Sequence, residues 1–260
     1  VENGILVEKH EEHENQRRLE GNIYLGKVTN VLKGMESAFI DIGEERRSLI
    51  KIQDVLPKVN IAKQSIEKET IEKILKEGDK ILIQIKKDGT ASKGAKVSTH
   101  INLSGRFVVL MPETDIVTVS QKIEDENMKK KLIEIAKKNL PENTGVILRT
   151  SSGNASENEI KKDIEELYKK WEGIKEKAIN SKTTPQLLYD NKALIRRTVI
   201  DILDRGLEKI IVNDKEIYED IKTVLENMKN IKIELREEDL FNIYSLNNQI
   251  EKMENRKIWL

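Results

Sequence analysis

Residues 21–55, GNIYLGKVTNVLKGMESAFIDIGEERRSLIKIQDV, carry the pattern that decides the fold. Apolar and polar positions alternate from Ile23 to Val31, break at Lys33-Gly34-Met35, and resume from Ala38 to Ile42 before a second turn at Gly43-Glu44-Glu45. This spacing predicts three short strands. A charged helical stretch from Ile61 to Lys76 follows, and then KEGDKILIQI, which puts Ile81, Ile83 and Ile85 on one face of a fourth strand. KVSTHINL, residues 96–103, reads as a fifth. Five short antiparallel strands with an inserted helix are the parts of an OB-type barrel.

At 260 residues the chain has room for about two domains. Lys plus Arg equals Asp plus Glu at 46 each, so no long-range basic field draws in nucleic acid and any such binding is local. Residues 20–105 are the most positive segment, with 15 basic against 12 acidic side chains. The absence of cysteine excludes disulfides and thiolate zinc sites. No apolar run approaches the roughly 18 residues of a membrane span, and VENGILVEKHEE lacks the order of a signal peptide. These features fit a soluble cytoplasmic protein. Abundant Lys, Ile and Asn hint at an AT-rich bacterial genome. Val1 opens directly into an Asn3-Gly4 turn, and Lys257-Ile258-Trp259-Leu260 reads as the start of another strand, so a piece of a longer protein is expected.

Beyond the barrel, helix and strand alternate. RFVVLM and GVILRT are short apolar strands with an amphipathic segment, Glu126 to Asn139, between them. Ser156 to Ile179 is the longest predicted helix. Ile160, Ile164, Leu167, Trp171 and Ile174 recur on one face, and Ser156 with Glu159 forms a capping-box signature. Thr184-Pro185 breaks that pattern. From Lys192 the chain reads strand, helix, strand, helix, strand, clearest at Glu208–Val212, Glu216–Met228 and Ile231–Leu235. A last helix follows from Leu246 to Arg256. Internal repeats and low-complexity tracts are absent.

Single-stranded nucleic acid is held by aromatic faces that stack on bases, flanked by cations on the phosphates. Tyr24 and Phe39 are the barrel's available aromatics, with no role assigned to Tyr24, and Lys93 beside Gly94 is a cation at a turn. Taken alone, Phe39 is as well explained by core burial. Arg149-Thr150 follows an apolar strand and leads through Ser151-Ser152-Gly153-Asn154 to the capped helix. A guanidinium can fork two hydrogen bonds onto a phosphate monoester, and a hydroxyl can add a third. Such a pair is also common on ordinary surfaces. Asp201 and Asp204 share a helix face and Asp214 follows a strand, but Arg205, Lys209 and solvent account for them as a charged surface. His10, His13 and His100 have no zinc spacing. No Ser-His-Asp order, Walker loop or dinucleotide fingerprint occurs.

GNIYLGKV, ESAFIDIG, KEGDKILIQI and KGAKVSTHINLSG, in that order, resemble the S1 RNA-binding domain of the ribonuclease E/G family. RFVVLMPE, VSQKIEDE, GVILRTSSG and KKWEGIKEKA resemble its phosphate-sensing region. KIIVNDKEIYEDIK and QIEKMENRKIWL resemble the stretch leading to its nuclease domain. The resemblance implies an α+β multi-subdomain architecture, with an S1-type OB β-barrel (20–103) inserted in an RNase H-like α/β subdomain (1–19 and 191–245). A mixed 5′-sensor region (104–190) and a lead-in to the nuclease domain (246–260) complete it. It places Phe39 and Lys93 at RNA-contacting positions and Leu49 where a second aromatic is usual. It aligns Arg149 and Thr150 with the 5′-monophosphate pocket, and Gly105 and Val109 with the pocket walls. A further pocket arginine belongs to the nuclease domain, as do the two aspartates that hold Mg²⁺ for cleavage, so this stretch is expected to carry no catalytic residue, metal or cofactor of its own. The implied partner is single-stranded RNA bearing a 5′-monophosphate, in rRNA and tRNA processing or mRNA decay, with oligomerisation through the later domains. The alternatives are a non-catalytic RNA-binding or ribosome-associated module, and a structural α/β protein whose barrel serves protein contacts.

Overall fold

The computed structural model describes residues 1–9, 19–55, 70–90, 92–191, 199, 202, 207–225 and 231–255. The chain divides into two compact units, Arg18–Asn191 and a second made of Val1–Arg17 with Lys192–Leu260.

The first unit begins with β1 (Ile23–Leu32), β2 (Ser37–Asp41) and β3 (Ser48–Lys51). A one-turn helix α1 (Ile71–Ile74), β4 (Lys80–Lys87) and β5 (Lys96–Ser98) follow. The strands hydrogen-bond in the order β1-β2-β3-β5-β4, and β4 returns to β1 to close the ring. The fold is thus an OB-like barrel within an α+β chain. At ten residues β1 is long enough to serve two neighbours, β4 along its first half and β2 along its second. Alternation sends Ala38, Ile40, Ile50, Ile83, Ile85 and Val97 into one buried cluster. One pairing departs from the all-antiparallel expectation: β3 and β5 run parallel, with Leu49 opposite Lys96. An odd number of strands cannot alternate direction around a closed ring, so one parallel pair is unavoidable.

The expected fifth strand also divides. β5 ends at Ser98, whose hydroxyl donates to the Asp54 carbonyl (2.8 Å) and accepts from the His100 amide (3.1 Å). Gln84, buried on the outer side of β4, donates to the Asn102 carbonyl and accepts from its amide, both at 2.9 Å. These side-chain bonds take up backbone groups that a longer strand would have given to the ladder. The chain then enters a second sheet. Of the helical stretch expected from Ile61 to Lys76, residues 61–69 lie outside the described residues, and the remainder is helical only over Ile71–Ile74.

The second sheet contains β6 (Leu103–Ser104), β7 (Val108–Pro112), β8 (Val117–Val119) and β9 (Thr144–Leu148), in the order β6-β7-β9-β8. Helix α2 (Glu126–Asn139) begins at Asp125, whose carboxylate caps the Asn127 and Met128 amides. Helix α3 (Glu157–Asn180) begins at Ser156 with the capping box complete. All five apolar residues read from the α3 sequence are buried. Strand β10 (Gln186–Tyr189) pairs with the start of β1. Ile23 and Leu25 of β1 and Leu188 of β10 join Leu148 and Trp171 in a single core, so apolar packing fuses the barrel with the second sheet.

In the other unit, β11 (Lys209–Val212), α4 (Lys215–Leu225) and β12 (Lys232–Leu235) form a β-α-β crossover with parallel strands. Short helix α5 (Leu240–Ile243) and α6 (Leu246–Asn255) follow. The expected Asn3-Gly4 turn is present: both residues have positive φ, and Glu2 and Ile5 exchange two backbone bonds of 2.9 Å. The strand and helix read just after Lys192 fall almost wholly outside the described residues, as do Asp201, Asp204, His10, His13 and the closing Lys257–Leu260.

Candidate RNA-binding site

On β2 the alternation that buries Ala38 and Ile40 turns Phe39 to the outside of the barrel, where it is half-buried. Leu49 lies directly opposite on β3, and Lys96 lies opposite Leu49 on β5. A ring, an aliphatic side chain and a cation therefore run in a row across three strands, the arrangement that suits a base next to a phosphate. Tyr24 is buried in the barrel cluster.

Lys93 is exposed in the turn before β5, where Thr90 and Lys93 form a β-bridge. The turn lies hard against the chain entering β3. A β-carbon at Gly94 would overlap the Arg47 carbonyl oxygen, so only glycine fits there. Lys96 is thus the cation that the strand register sets beside Leu49, and sequence reading missed it. The signal was available: Lys96 is an outward position of β5, two residues before Ser98. Lys96 lies 3.2 Å from the Asp54 carboxylate at an angle unsuited to a hydrogen bond, so the contact is an ion pair alone. Nearby, burial lowers the Lys86 pKa to about 8, with Asp54 pulling it upward, and Lys86 donates to Gln84 Oε1 at 2.8 Å. His100 is held below the usual histidine range, first by burial and then by Lys86.

The second group forms where β7 begins and β9 ends. Arg149 follows β9 and its Nη1 donates to the Gly105 carbonyl at 3.0 Å. Val109, half-exposed on β7, lies opposite Ile147 on β9 and Ser104 on β6. Thr150 is exposed, and its hydroxyl lies 3.1 Å from that of Ser120. The fold therefore brings Gly105, Val109, Arg149 and Thr150 to one end of one sheet and adds Ser120. The turn from Gly105 to Val108 is closely held. The Arg149 amide donates to the Phe107 carbonyl (2.8 Å), the Ser151 hydroxyl to that of Arg106 (2.8 Å), and the Ser152 hydroxyl to that of Phe107 (2.6 Å). Gly105 itself is buried, and a β-carbon there would overlap the carboxylate of Asp163 on α3. Close packing against α3 thus accounts for a glycine at this position.

Residues 102–260 match the model of the Ribonuclease E/G family. The chain belongs to this family. It is 32% identical to Ribonuclease G of Haemophilus influenzae over 267 residues, covering 99% of this chain and 54% of that protein. Against Ribonuclease G of Escherichia coli it is 30% identical over 269 residues, covering 100% of this chain and 55% of the relative. Ribonuclease E of Haemophilus influenzae is 28% identical over 246 residues. The chain spans about half the length of the ribonuclease G relatives it matches.

In this ribonuclease E/G family member, the described residues contain no group of three His, Asp or Glu side chains arranged to hold a metal ion. Asp214 has a structural task, its carboxylate accepting from the Ile217 amide (2.9 Å) at the start of α4. No described helix is long and apolar enough to cross a membrane.

Proposed function

We propose that this chain is the RNA-binding and 5′-monophosphate-sensing part of a ribonuclease E/G-type endoribonuclease acting on single-stranded RNA. The barrel, read as an S1-type domain, grips unpaired nucleotides along the row of Phe39, Leu49 and Lys96, with Lys93 at its rim. Arg149 and Thr150 receive the terminal phosphate between Gly105 and Val109. The β-α-β unit, with residues 1–19 and 191–245, is read as the RNase H-like scaffold. Mg²⁺-dependent cleavage is assigned to a nuclease portion outside these 260 residues, in a cytoplasmic bacterial enzyme of rRNA and tRNA processing or mRNA decay.

The observation that carries the reading is the Arg149–Gly105 hydrogen bond, which gathers a guanidinium, a hydroxyl pair and an apolar wall at one sheet end. A guanidinium oriented in this way suits a dianionic monoester. Binding is measured with unpaired RNA oligomers that differ only in carrying a 5′-phosphate or a 5′-hydroxyl. The phosphorylated oligomer should bind more tightly, and Arg149→Ala should reduce that advantage by roughly tenfold or more, leaving the hydroxylated oligomer's affinity unchanged. An advantage that survives the substitution removes Arg149 from the site.

A further inference from the structure

Asp163 on α3 is closely held against the turn that carries Gly105, and nothing in the sequence pattern of α3 marks it. Its carboxylate accepts hydrogen bonds from the amides of Arg106 (3.2 Å), Phe107 (2.7 Å) and Val108 (3.0 Å). Successive amides converging on one anion form a concave nest, and here a carboxylate of the chain itself fills it. Burial pushes the Asp163 carboxyl above the usual range while the three amides pull it back. Two sets of bonds fix the turn. Asp163 holds the amides, and the residues after β9 hold the carbonyls of Gly105, Arg106 and Phe107. The Gly105 carbonyl on which the Arg149 guanidinium rests is therefore set in place by a carboxylate on α3.

We propose that Asp163 is a positioning residue for terminal-phosphate recognition, holding the Gly105–Val108 turn so that the Gly105 carbonyl aims Arg149 at the phosphate. The inference rests on the 5′-phosphate reading above. It has a specific corollary: the amides of residues 106–108 are already taken by Asp163 and are not donors to the phosphate, which leaves the Arg149 side chain as the charged contact. Selectivity then depends on how the guanidinium is oriented.

The test uses the whole 260-residue chain and the same oligomer pair. Asp163→Asn keeps the size of the side chain but loses the charge and replaces one of the two acceptor oxygens with an NH2 group, which cannot accept from the backbone amides. The ratio of 5′-hydroxyl to 5′-phosphate dissociation constants should fall about tenfold, as for the loss of one charge-assisted hydrogen bond. Affinity for the hydroxylated oligomer should stay constant, and in an Arg149→Ala background the substitution should change the ratio no further. An unchanged ratio, or an equal weakening of both oligomers, overturns the proposal. A second measurement needs no variant: in the wild-type chain the Asp163 carboxyl carbon should keep its NMR chemical shift when the phosphorylated oligomer binds, because the carboxylate stays bonded to the Arg106, Phe107 and Val108 amides. A change to the shift of a free carboxylate would show the phosphate displacing Asp163 and would overturn the proposal. A wild-type chain that shows no preference for the phosphorylated end defeats the phosphate reading itself, and this inference with it.

Discussion

On the barrel, Phe39, Leu49 and Lys96 stand side by side because strand alternation and cross-strand register place them there. At the end of the second sheet, Gly105 and Arg149 meet because side chains and amides from β7, β9 and α3 converge on one turn. The barrel face is a set of outward positions, so exchanging one side chain leaves the others where they were. The residues around Arg149 are joined by hydrogen bonds through the Gly105–Val108 turn, so on the proposal above a change at Asp163 should be felt at the guanidinium. The two regions should accordingly respond to mutation in different ways.

The largest effect is expected where the barrel frame itself is closed. Gly94→Ala should destabilise the chain by about 3 kcal/mol, because the added carbon meets the backbone of Arg47 and neither strand can easily give way. Urea unfolding checks this, and wild-type stability in the variant would show that the two backbones are not in close contact.

A smaller effect should come from adding to the barrel face. Leu49→Phe supplies a second stacking ring next to Phe39 and should tighten binding of unpaired RNA by about 1 kcal/mol. The ratio between 5′-phosphate and 5′-hydroxyl ends should not change. If that ratio moves, the face and the pocket are coupled and the contrast between them fails.

The remaining test concerns Lys86 beside the barrel face. Its folded-state pKa is lowered to about 8 from an ordinary value of 10.5. Between those values the unfolded chain binds more protons than the folded one, so stability should rise with pH across that window. Lys86→Met should abolish this slope. Denaturation midpoints compared at about pH 8 and about pH 10 decide it, and a wild type no steeper than the variant would remove Lys86 as the source.

Much of the barrel was legible because alternation carries its own signal. Ile81, Ile83 and Ile85 announce a strand with one buried face, and Ala38 and Ile40 do the same while leaving Phe39 outside. Helix α3 was equally clear from its apolar spacing and its capping box. β8 and β10 were missed because each is only three or four residues long and gains its place from partners far along the chain. KVSTHINL misled because Val97, Ile101 and Leu103 look like a single strand in isolation. Only the bonds from Ser98 and Gln84 end it.

The site divides in the same way. Arg149, Thr150 and Phe39 were singled out only by the resemblance, since the residues alone fitted an ordinary surface pair and a core ring equally well. Asp163 was not singled out at all, since one aspartate among the charges of a solvated helix carries no mark of its partners. By itself the sequence determined the longer strands and helices, and which aromatic, cationic and hydroxyl side chains were available. Periodicity and local capping are short-range and survive in one dimension. The tertiary structure decided which of those residues meet: Lys96 beside Leu49, Ser120 with Thr150, and Asp163 beneath Gly105. Such meetings depend on closing a ring of strands and packing α3 on a sheet, and contacts of that range leave no periodic trace in the chain.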